Sequence, residues 1–227
     1  KGGGPPNIIP ANAESWYYVR APEKRQIEDI FQRLVKISQG AALMTETGVE
    51  HEVIAGCYNV LGNNILGDLL HENMKTVGAP RFTDADRTFA RELVKSFPEG
   101  QQEKVIAGYF GSKELEGEIL HAVIVQNDDE KEVMPGSTDV GDVSWIVPLA
   151  QFTAATWPIG TAAHSWQATA ASGSGIGFTA MLFSAKVIAG TLYDLLGDKK
   201  HLLNKIKSEF KIKTSGQAYQ PLVTKTR

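Results

Sequence analysis

The segment 176–196 constrains this chain most, because it has the pattern of a long helix and is mostly apolar. A helix that is apolar around most of its circumference must be buried. The flanking sequence supplies candidates to cover it, since residues 143–147 and 149–156 have the composition of buried strands. The apolar runs are too short or too interrupted to cross a membrane. The sequence therefore predicts a buried helix within an α/β fold.

The first sixty residues show the order strand, helix, strand. Residues 12–20 contain aromatic and β-branched side chains that favour a strand, and residues 49–55 form a second candidate. Pro22 suits the first turn of the helix between them. The apolar positions of that helix recur at helical spacing: Ile27, Ile30, Phe31, Leu34 and Ile37. Residues 1–60 are therefore predicted to form a small α+β domain.

Local signals mark two further helices and an insertion in the rest of the chain, residues 61–227. One helix is expected to end at Gly78, where a C-cap glycine belongs. Thr83 and Asp86 resemble a capping box at the start of the next. Residues 100–135 are polar and poorly patterned, with one strand candidate at 119–125. We interpret this stretch as an insertion or flap.

Charge and cysteine content exclude some classes of protein. The chain has 26 acidic and 23 basic residues, a net charge of −3, so no basic surface for nucleic acid is indicated. Cys57 is the single cysteine, which rules out an internal disulfide and is compatible with a reducing compartment. We expect a cytoplasmic protein that has neither nucleic acid nor a membrane as its partner.

Residues 136–167 carry the side chains most suited to chemistry. Asp139 and Asp142 lie in a turn rich in small residues, and His164 lies in a small-residue loop between a predicted strand and a predicted helix. Ligands of α/β proteins gather at the ends of strands, and histidine is a common metal ligand. One histidine is not a metal site, however. From spacing alone, His164 is better explained as a hydrogen-bonded loop residue.

Longer motifs give this region a family resemblance. It is similar to the C-terminal signature of the peptidase M20 family of metallo-amidohydrolases, and in particular to the p-aminobenzoyl-glutamate hydrolases. The resemblance extends from about residue 4 to about residue 196, covering the flap only loosely. The residues that carry it are Ser137-Thr138-Asp139-Val140-Gly141-Asp142 with Pro148, Gly160-Thr161, His164-Ser165-Trp166-Gln167 and the stretch 40–47.

The resemblance assigns roles to individual residues. It implies that His164 is a metal ligand and that Thr138 and Asp139 support the site or the fold. It also implies that Asn7 and Arg20 face the substrate, with the Arg20 fork holding a carboxylate. Without the resemblance, Asn7 would stabilise a turn and Arg20 would end a strand and point to solvent.

The resemblance implies that this chain is one part of an enzyme. Residues 1–60 would be a truncated α+β lid, or dimerisation, domain. Residues 61–227 would be the C-terminal part of a zinc-peptidase-like catalytic α/β domain. The expected activity is metal-dependent hydrolysis of the amide bond of an N-acyl amino acid such as p-aminobenzoyl-glutamate, a reaction of folate catabolism. A complete site would bind two divalent ions, zinc or manganese. The general base is expected upstream of this chain. This chain alone is therefore expected to be inactive and to lack a full metal site.

The expected partners are a small-molecule substrate and a second copy of the chain, or a related subunit in a heteromer. The alternative function is a non-catalytic dimerisation or assembly module of a partner subunit. A third interpretation, nucleotide binding by the glycine cluster at 173–177, is weaker because its spacing is not Gly-x-Gly-x-x-Gly. Close packing at the start of a buried helix explains that cluster better.

Overall fold

The computed structural model describes residues 2–107, 115, 117–125 and 136–223. Regular structure in these residues is helical. The assigned helices are α1 Lys24–Met44, α2 Asn64–Val77, α3 Asp84–Val94, α4 Gln101–Ala107, α5 Val140–Ser144, α6 Trp166–Ser172, α7 Gly175–Leu196 and α8 Leu202–Lys213.

The chain divides into two compact units. Among the described residues, the first unit comprises 2–60, 136–142 and 219–223, and the second comprises the remainder between 61 and 218. The interpretation of residues 1–60 as a lid, and of the rest as part of a catalytic domain, stays a prediction.

Helix α1 dominates the first unit. It begins where the side chain of Gln26 accepts a hydrogen bond from the backbone N–H of Glu23, at 3.1 Å, and it continues through Gly40 without a break. The predicted apolar face is only partly covered: Phe31 is half-buried and touches the ring of His51, whereas Ile37 is exposed. None of the α1 residues is fully buried, so packing within the unit leaves apolar surface on this helix.

The second unit has a core built around α7. Helix α7 packs on α2 and α6, and α8 packs on α2. A buried amide lies at the contact of α2 with α7: Asn73 Nδ2 donates to Leu69 O and to Asp194 Oδ2, both at 3.0 Å. Gly190 permits this contact, because a Cβ there would overlap Asn73 Oδ1. The apolar side chains that form the core clusters are Leu70, Phe82, Ala90, Leu120, Ile176, Phe183 and Val187.

The helix ends predicted from local signals are confirmed. Gly78 caps α2 with φ +79°, a conformation that glycine adopts without steric cost. At the start of α3, Thr83 N–H donates to Asp86 Oδ2 at 2.9 Å and Asp86 N–H donates to Thr83 Oγ1 at 3.2 Å. These two bonds form the capping box that the sequence indicates.

The strands are not confirmed. No strand is assigned within the described ranges, where the one isolated β-bridge is parallel and joins Gly62 to Leu149. No β-ladder is therefore formed by the segments predicted as strands at 12–20, 49–55, 119–125 and 149–156. Of the predicted α/β fold, the structure shows the helices and not the sheet.

The strand predicted at 143–147 is wrong, because α5 occupies Val140–Ser144. The preceding turn explains the error. Thr138 Oγ1 accepts a hydrogen bond from Val140 N–H at 3.3 Å, and Asp142 N–H donates to Asp139 O at 3.0 Å. These bonds start a helical turn before the apolar residues begin. Within the predicted flap, residues 101–107 form α4, while 108–114, 116 and 126–135 lie outside the described residues.

Helix α7 is apolar on two sides. One side is buried in the core, and the other carries exposed apolar side chains. By length and composition α7 could cross a membrane, contrary to the expectation from the sequence. The buried core helix of a soluble protein has the same length and composition. The exposed side chains, with 48–80% of their surface accessible, are Phe178, Met181, Leu182, Ile188, Leu192, Tyr193 and Leu196.

Candidate functional site

Arg20 is held in the first unit by the Ser-Thr-Asp turn. Its Nη1 donates a hydrogen bond to Ser137 Oγ at 2.9 Å, and its guanidinium carbon lies 5.5 Å from the centre of the Tyr18 ring. The side chain of Arg20 is otherwise exposed. A guanidinium has five N–H donors arranged as a fork, so this arrangement can present further donors to a carboxylate while one donor fixes its position.

Thr138 and Asp139 shape the turn that presents Ser137. Thr138 Oγ1 lies 3.4 Å from Asp139 Oδ1, and Gly141 N–H donates to Thr138 O at 3.1 Å. Both residues therefore have local structural partners. Their role beside a metal ligand stays a prediction.

Asp142 follows this turn in the chain, and its carboxylate interacts with neighbouring residues. Its Oδ1 accepts a hydrogen bond from Tyr58 N–H at 3.3 Å, and Asp142 also interacts with the side chains of Cys57 and Tyr219. Burial, followed by the charges of Asp142 and Asp139, raises the pKa of the Cys57 thiol. Burial and then the bond to Asp142 raise the pKa of Tyr219. Both groups therefore stay protonated at neutral pH.

Tyr58 completes this cluster. Its hydroxyl donates to Gln220 O at 2.8 Å and accepts from Lys24 Nζ at 2.6 Å, and its ring lies 5.0 Å from the ring of Tyr219. The bond to Tyr58 is the main cause of a raised pKa for Lys24, which stays cationic. No local pattern in the sequence points to Tyr58, Tyr219 or Lys24, because the contacts join segments far apart in the chain.

Asn7 lies exposed in a turn that is closed by the bond from Ile8 N–H to Pro5 O, at 3.1 Å. This position agrees with the ordinary preference of asparagine for turns. Its role in substrate binding stays a prediction.

His164 lies in a constrained loop of the second unit. Its φ is +61°, a left-handed conformation that few residues other than glycine adopt. The neighbouring backbone is fixed on both sides: Gln102 Nε2 donates to Ile159 O at 2.9 Å, and Ser165 caps α6 by accepting from Ala168 N–H at 3.2 Å. The imidazole itself is exposed. Strained residues of this kind persist where the surroundings enforce them, and they cluster at functional sites.

The described side chains do not form a metal centre by themselves. No group of three or more histidine, cysteine, aspartate or glutamate residues in the described ranges is arranged to hold a metal ion. A catalytic zinc takes about three protein ligands and a water. His164 can therefore supply one ligand at most, and no reaction step follows from these residues alone.

The glycine cluster at 173–177 is explained by close packing. A Cβ at Gly175 would overlap Asp86 Oδ1, and one at Gly177 would overlap Ser172 O. The carboxylate of Asp86 beside this helix end is unfavourable for a phosphate, which argues against nucleotide binding.

Comparison with known proteins gives related hydrolases. The chain is 32% identical over 232 residues to one subunit of the p-aminobenzoyl-glutamate hydrolase of Escherichia coli (strain K12), covering 96% of this chain and 47% of the relative. It is 29% identical over 215 residues to the Xaa-Arg dipeptidase of Mus musculus, covering 93% of this chain and 39% of the relative. The Xaa-Arg dipeptidase of Homo sapiens is 27% identical, with 96% and 40% covered. The chain thus spans less than half the length of these relatives, and no family model and no solved structure matches it.

Proposed function

We propose that the chain is part of a metal-dependent amidohydrolase of the M20 type, because nearly its whole length is related to a subunit of a bacterial p-aminobenzoyl-glutamate hydrolase. The relatives, a hydrolase subunit and dipeptidases, support a hydrolase role. The proposed reaction cleaves the amide bond of an N-acyl amino acid such as p-aminobenzoyl-glutamate.

Within the structure, the contact of Arg20 with Ser137 supports the proposed substrate class. An N-acyl amino acid has a free carboxylate beside the amide to be cleaved. A guanidinium that is positioned by one hydrogen bond and otherwise exposed suits that carboxylate, since paired N–H donors match its two oxygens. Arg20 is proposed to hold this group, with Asn7 as a second polar contact.

His164 is proposed to contribute one ligand to a zinc or manganese site, with Thr138 and Asp139 in a supporting role. The remaining ligands and the general base would come from outside the described residues. Divalent ions in such a site activate water and polarise the scissile carbonyl. The constrained backbone of His164 supports this assignment, because a ligand loop must be rigid.

A second candidate is a non-catalytic assembly module of a partner subunit. It is favoured by the lack of a three-ligand group in the described part of the chain. The name of the bacterial relative, which is a subunit of a hydrolase, supports a partner chain. Both candidates include association, as a homodimer or with a related subunit.

Carboxylate binding by the purified chain distinguishes the two candidates. We expect p-aminobenzoyl-glutamate to shift the side-chain NMR signals of Arg20 in a saturable way, with a Kd of roughly millimolar order. The diamide of the same compound should have little effect. In Arg20→Gln, followed through backbone amide signals, the acid should bind no better than the diamide. Equal responses to acid and diamide would favour the assembly module.

A further inference from the structure

Asp142 connects three segments of the first unit. Its carboxylate accepts a hydrogen bond from Tyr58 N–H at 3.3 Å and also interacts with the side chains of Cys57 and Tyr219. Its own backbone N–H donates to Asp139 O at 3.0 Å, within the turn that carries Ser137. Asp142 therefore ties the turn to the segment that contains Tyr58.

The packing around Asp142 leaves the turn little room to move. The neighbouring Gly141 lies so close to Tyr58 that a Cβ there would overlap the Tyr58 carbonyl oxygen. Tyr58 is itself buried and held at its hydroxyl by Lys24 and by Gln220 O. A displacement of the start of α5 would therefore break several contacts at once.

We propose that Asp142 is a positioning residue for carboxylate recognition: it holds the turn from which Ser137 fixes the Arg20 guanidinium. This inference rests on the proposed function of Arg20. Asp142 does not itself contact the substrate. It acts through its hydrogen bond to Tyr58, whose ring lies 5.0 Å from the ring of Tyr219. Both tyrosines lie in segments remote from the turn in sequence. The segment at 219–222 is thereby part of the support of the site, through Tyr219 and through Leu222, which packs on Gly56.

Two variants of the full chain test the proposal. Asp142→Asn replaces a carboxylate, whose two oxygens both accept hydrogen bonds, by an amide. The NH2 group of this amide donates and cannot accept a hydrogen bond. Tyr219→Phe is milder, since it removes the hydroxyl that interacts with Asp142 and keeps the ring beside Tyr58. Asp198→Asn, an exposed residue of the second unit, is the matched control for the loss of one negative charge.

The first readout needs no ligand. We expect faster amide exchange at Gly141 and Asp142, together with a changed side-chain NMR signal of Arg20, in Asp142→Asn and to a smaller extent in Tyr219→Phe. Asp198→Asn should match the wild type. Wild-type exchange and an unchanged Arg20 signal in both test variants would overturn the proposal. Tyr219→Phe keeps the test valid if Asp142→Asn does not fold.

The second readout is affinity. For folded Asp142→Asn we expect binding of p-aminobenzoyl-glutamate to weaken about fivefold, within the range of coupled neighbours, while binding of its diamide is unchanged. Arg20→Gln should then add little in the Asp142→Asn background. A merely structural role would leave the preference for acid over diamide intact in the folded protein, and that result would also overturn the proposal. If Arg20→Gln alone has no effect on affinity, the proposed function fails, whereas the exchange and Arg20 signals still decide the role of Asp142.

Discussion

Arg20 Nη1 donates a hydrogen bond to Ser137 Oγ at 2.9 Å, across 117 positions of the sequence. The contact joins two motifs that the sequence indicates separately, the segment that ends at Arg20 and the Ser-Thr-Asp turn. Both belong to the first unit. The joining of these motifs makes Arg20 the best-supported candidate for a substrate contact in this chain.

Replacing Arg20 by lysine keeps the charge and removes the fork. We expect affinity for p-aminobenzoyl-glutamate, or kcat/KM in a complete enzyme, to fall roughly tenfold or more, because a hydrogen bond to a charged group contributes about 1.5–3 kcal/mol. The loss should shrink for the amidated substrate, since Arg20 then has no carboxylate to hold. Equal losses on both substrates would point to a structural role for Arg20.

Two substitutions of His164 separate the effect of its backbone conformation on stability from the role of its imidazole in metal binding. His164→Gly removes the side chain but tolerates φ +61°, so we expect stability in denaturant to rise by about 1 kcal/mol or stay level. His164→Ala should be less stable than His164→Gly. In a protein that contains this chain and has the proposed metal-dependent activity, both should lose nearly all activity and part of the bound metal if His164 is a ligand.

Ser215→Gly is the matched control for this pair, since Ser215 also has a positive φ. It should change stability in the same direction without affecting activity. Near-normal kcat and full metal content in both His164 variants would end the ligand assignment.

The contact of α2 with α7 predicts a strong effect at one glycine. Gly190→Ala should lower the free energy of unfolding by about 1–3 kcal/mol, because the new Cβ would displace the buried Asn73 amide. Gly67→Ala in α2 is the control: no atom lies within 4 Å of its Cβ position, so the better helix propensity should stabilise the chain by roughly 0.5–1 kcal/mol. Urea denaturation of both variants checks this, and equal effects would contradict the packing argument.

Glu209 makes the stability of the second unit depend on pH. Burial raises the pKa of its carboxyl, but the bonds from Lys213 and from the backbone N–H groups of Asn64 and Ile65 outweigh burial and lower it below its ordinary value. A lowered folded-state pKa contributes stability above the unfolded-state pKa, and this contribution is lost as the pH falls through the folded-state value. Glu209→Gln should therefore destabilise the chain by about 1 kcal/mol at pH 7.

The difference between wild type and Glu209→Gln should begin to shrink as the pH falls below the ordinary pKa of a glutamate, about 4.3, and should disappear below the lowered folded-state pKa of Glu209. Urea unfolding at several pH values measures it. Glu99→Gln, at an exposed position, serves as the control and should show a much smaller change with pH. A difference that stays constant from neutral to acid would show that charge on Glu209 is not responsible.

The purified 227-residue chain is expected to lack hydrolase activity, because its described residues provide no three-ligand metal group. Release of p-aminobenzoate from p-aminobenzoyl-glutamate, with added zinc or manganese, measures this. Turnover clearly above that of the metal ions alone would refute the prediction and rule out a purely non-catalytic module.

The features that the sequence predicts well are local. The capping box of Thr83 and Asp86 and the C-cap at Gly78 depend on residues a few positions apart, and both are confirmed. Strand formation depends on a partner segment, which no local pattern specifies, and 143–147 starts as a helix because the Ser-Thr-Asp turn precedes it. The cluster around Asp142 escaped prediction for a similar reason, since Tyr58 lies 84 positions away.

The two apolar sides of α7 have a consequence during synthesis. A newly made helix of this length and hydropathy is a candidate for membrane insertion. Lys186 is exposed near the middle of Gly175–Leu196. It makes membrane insertion less favourable, since a lysine at the centre of an inserted helix raises the free energy of insertion by about 2.5–3.5 kcal/mol. Packed against α2, the same helix keeps the ammonium group in water. One lysine therefore helps to favour folding of this helix over its insertion into a lipid bilayer.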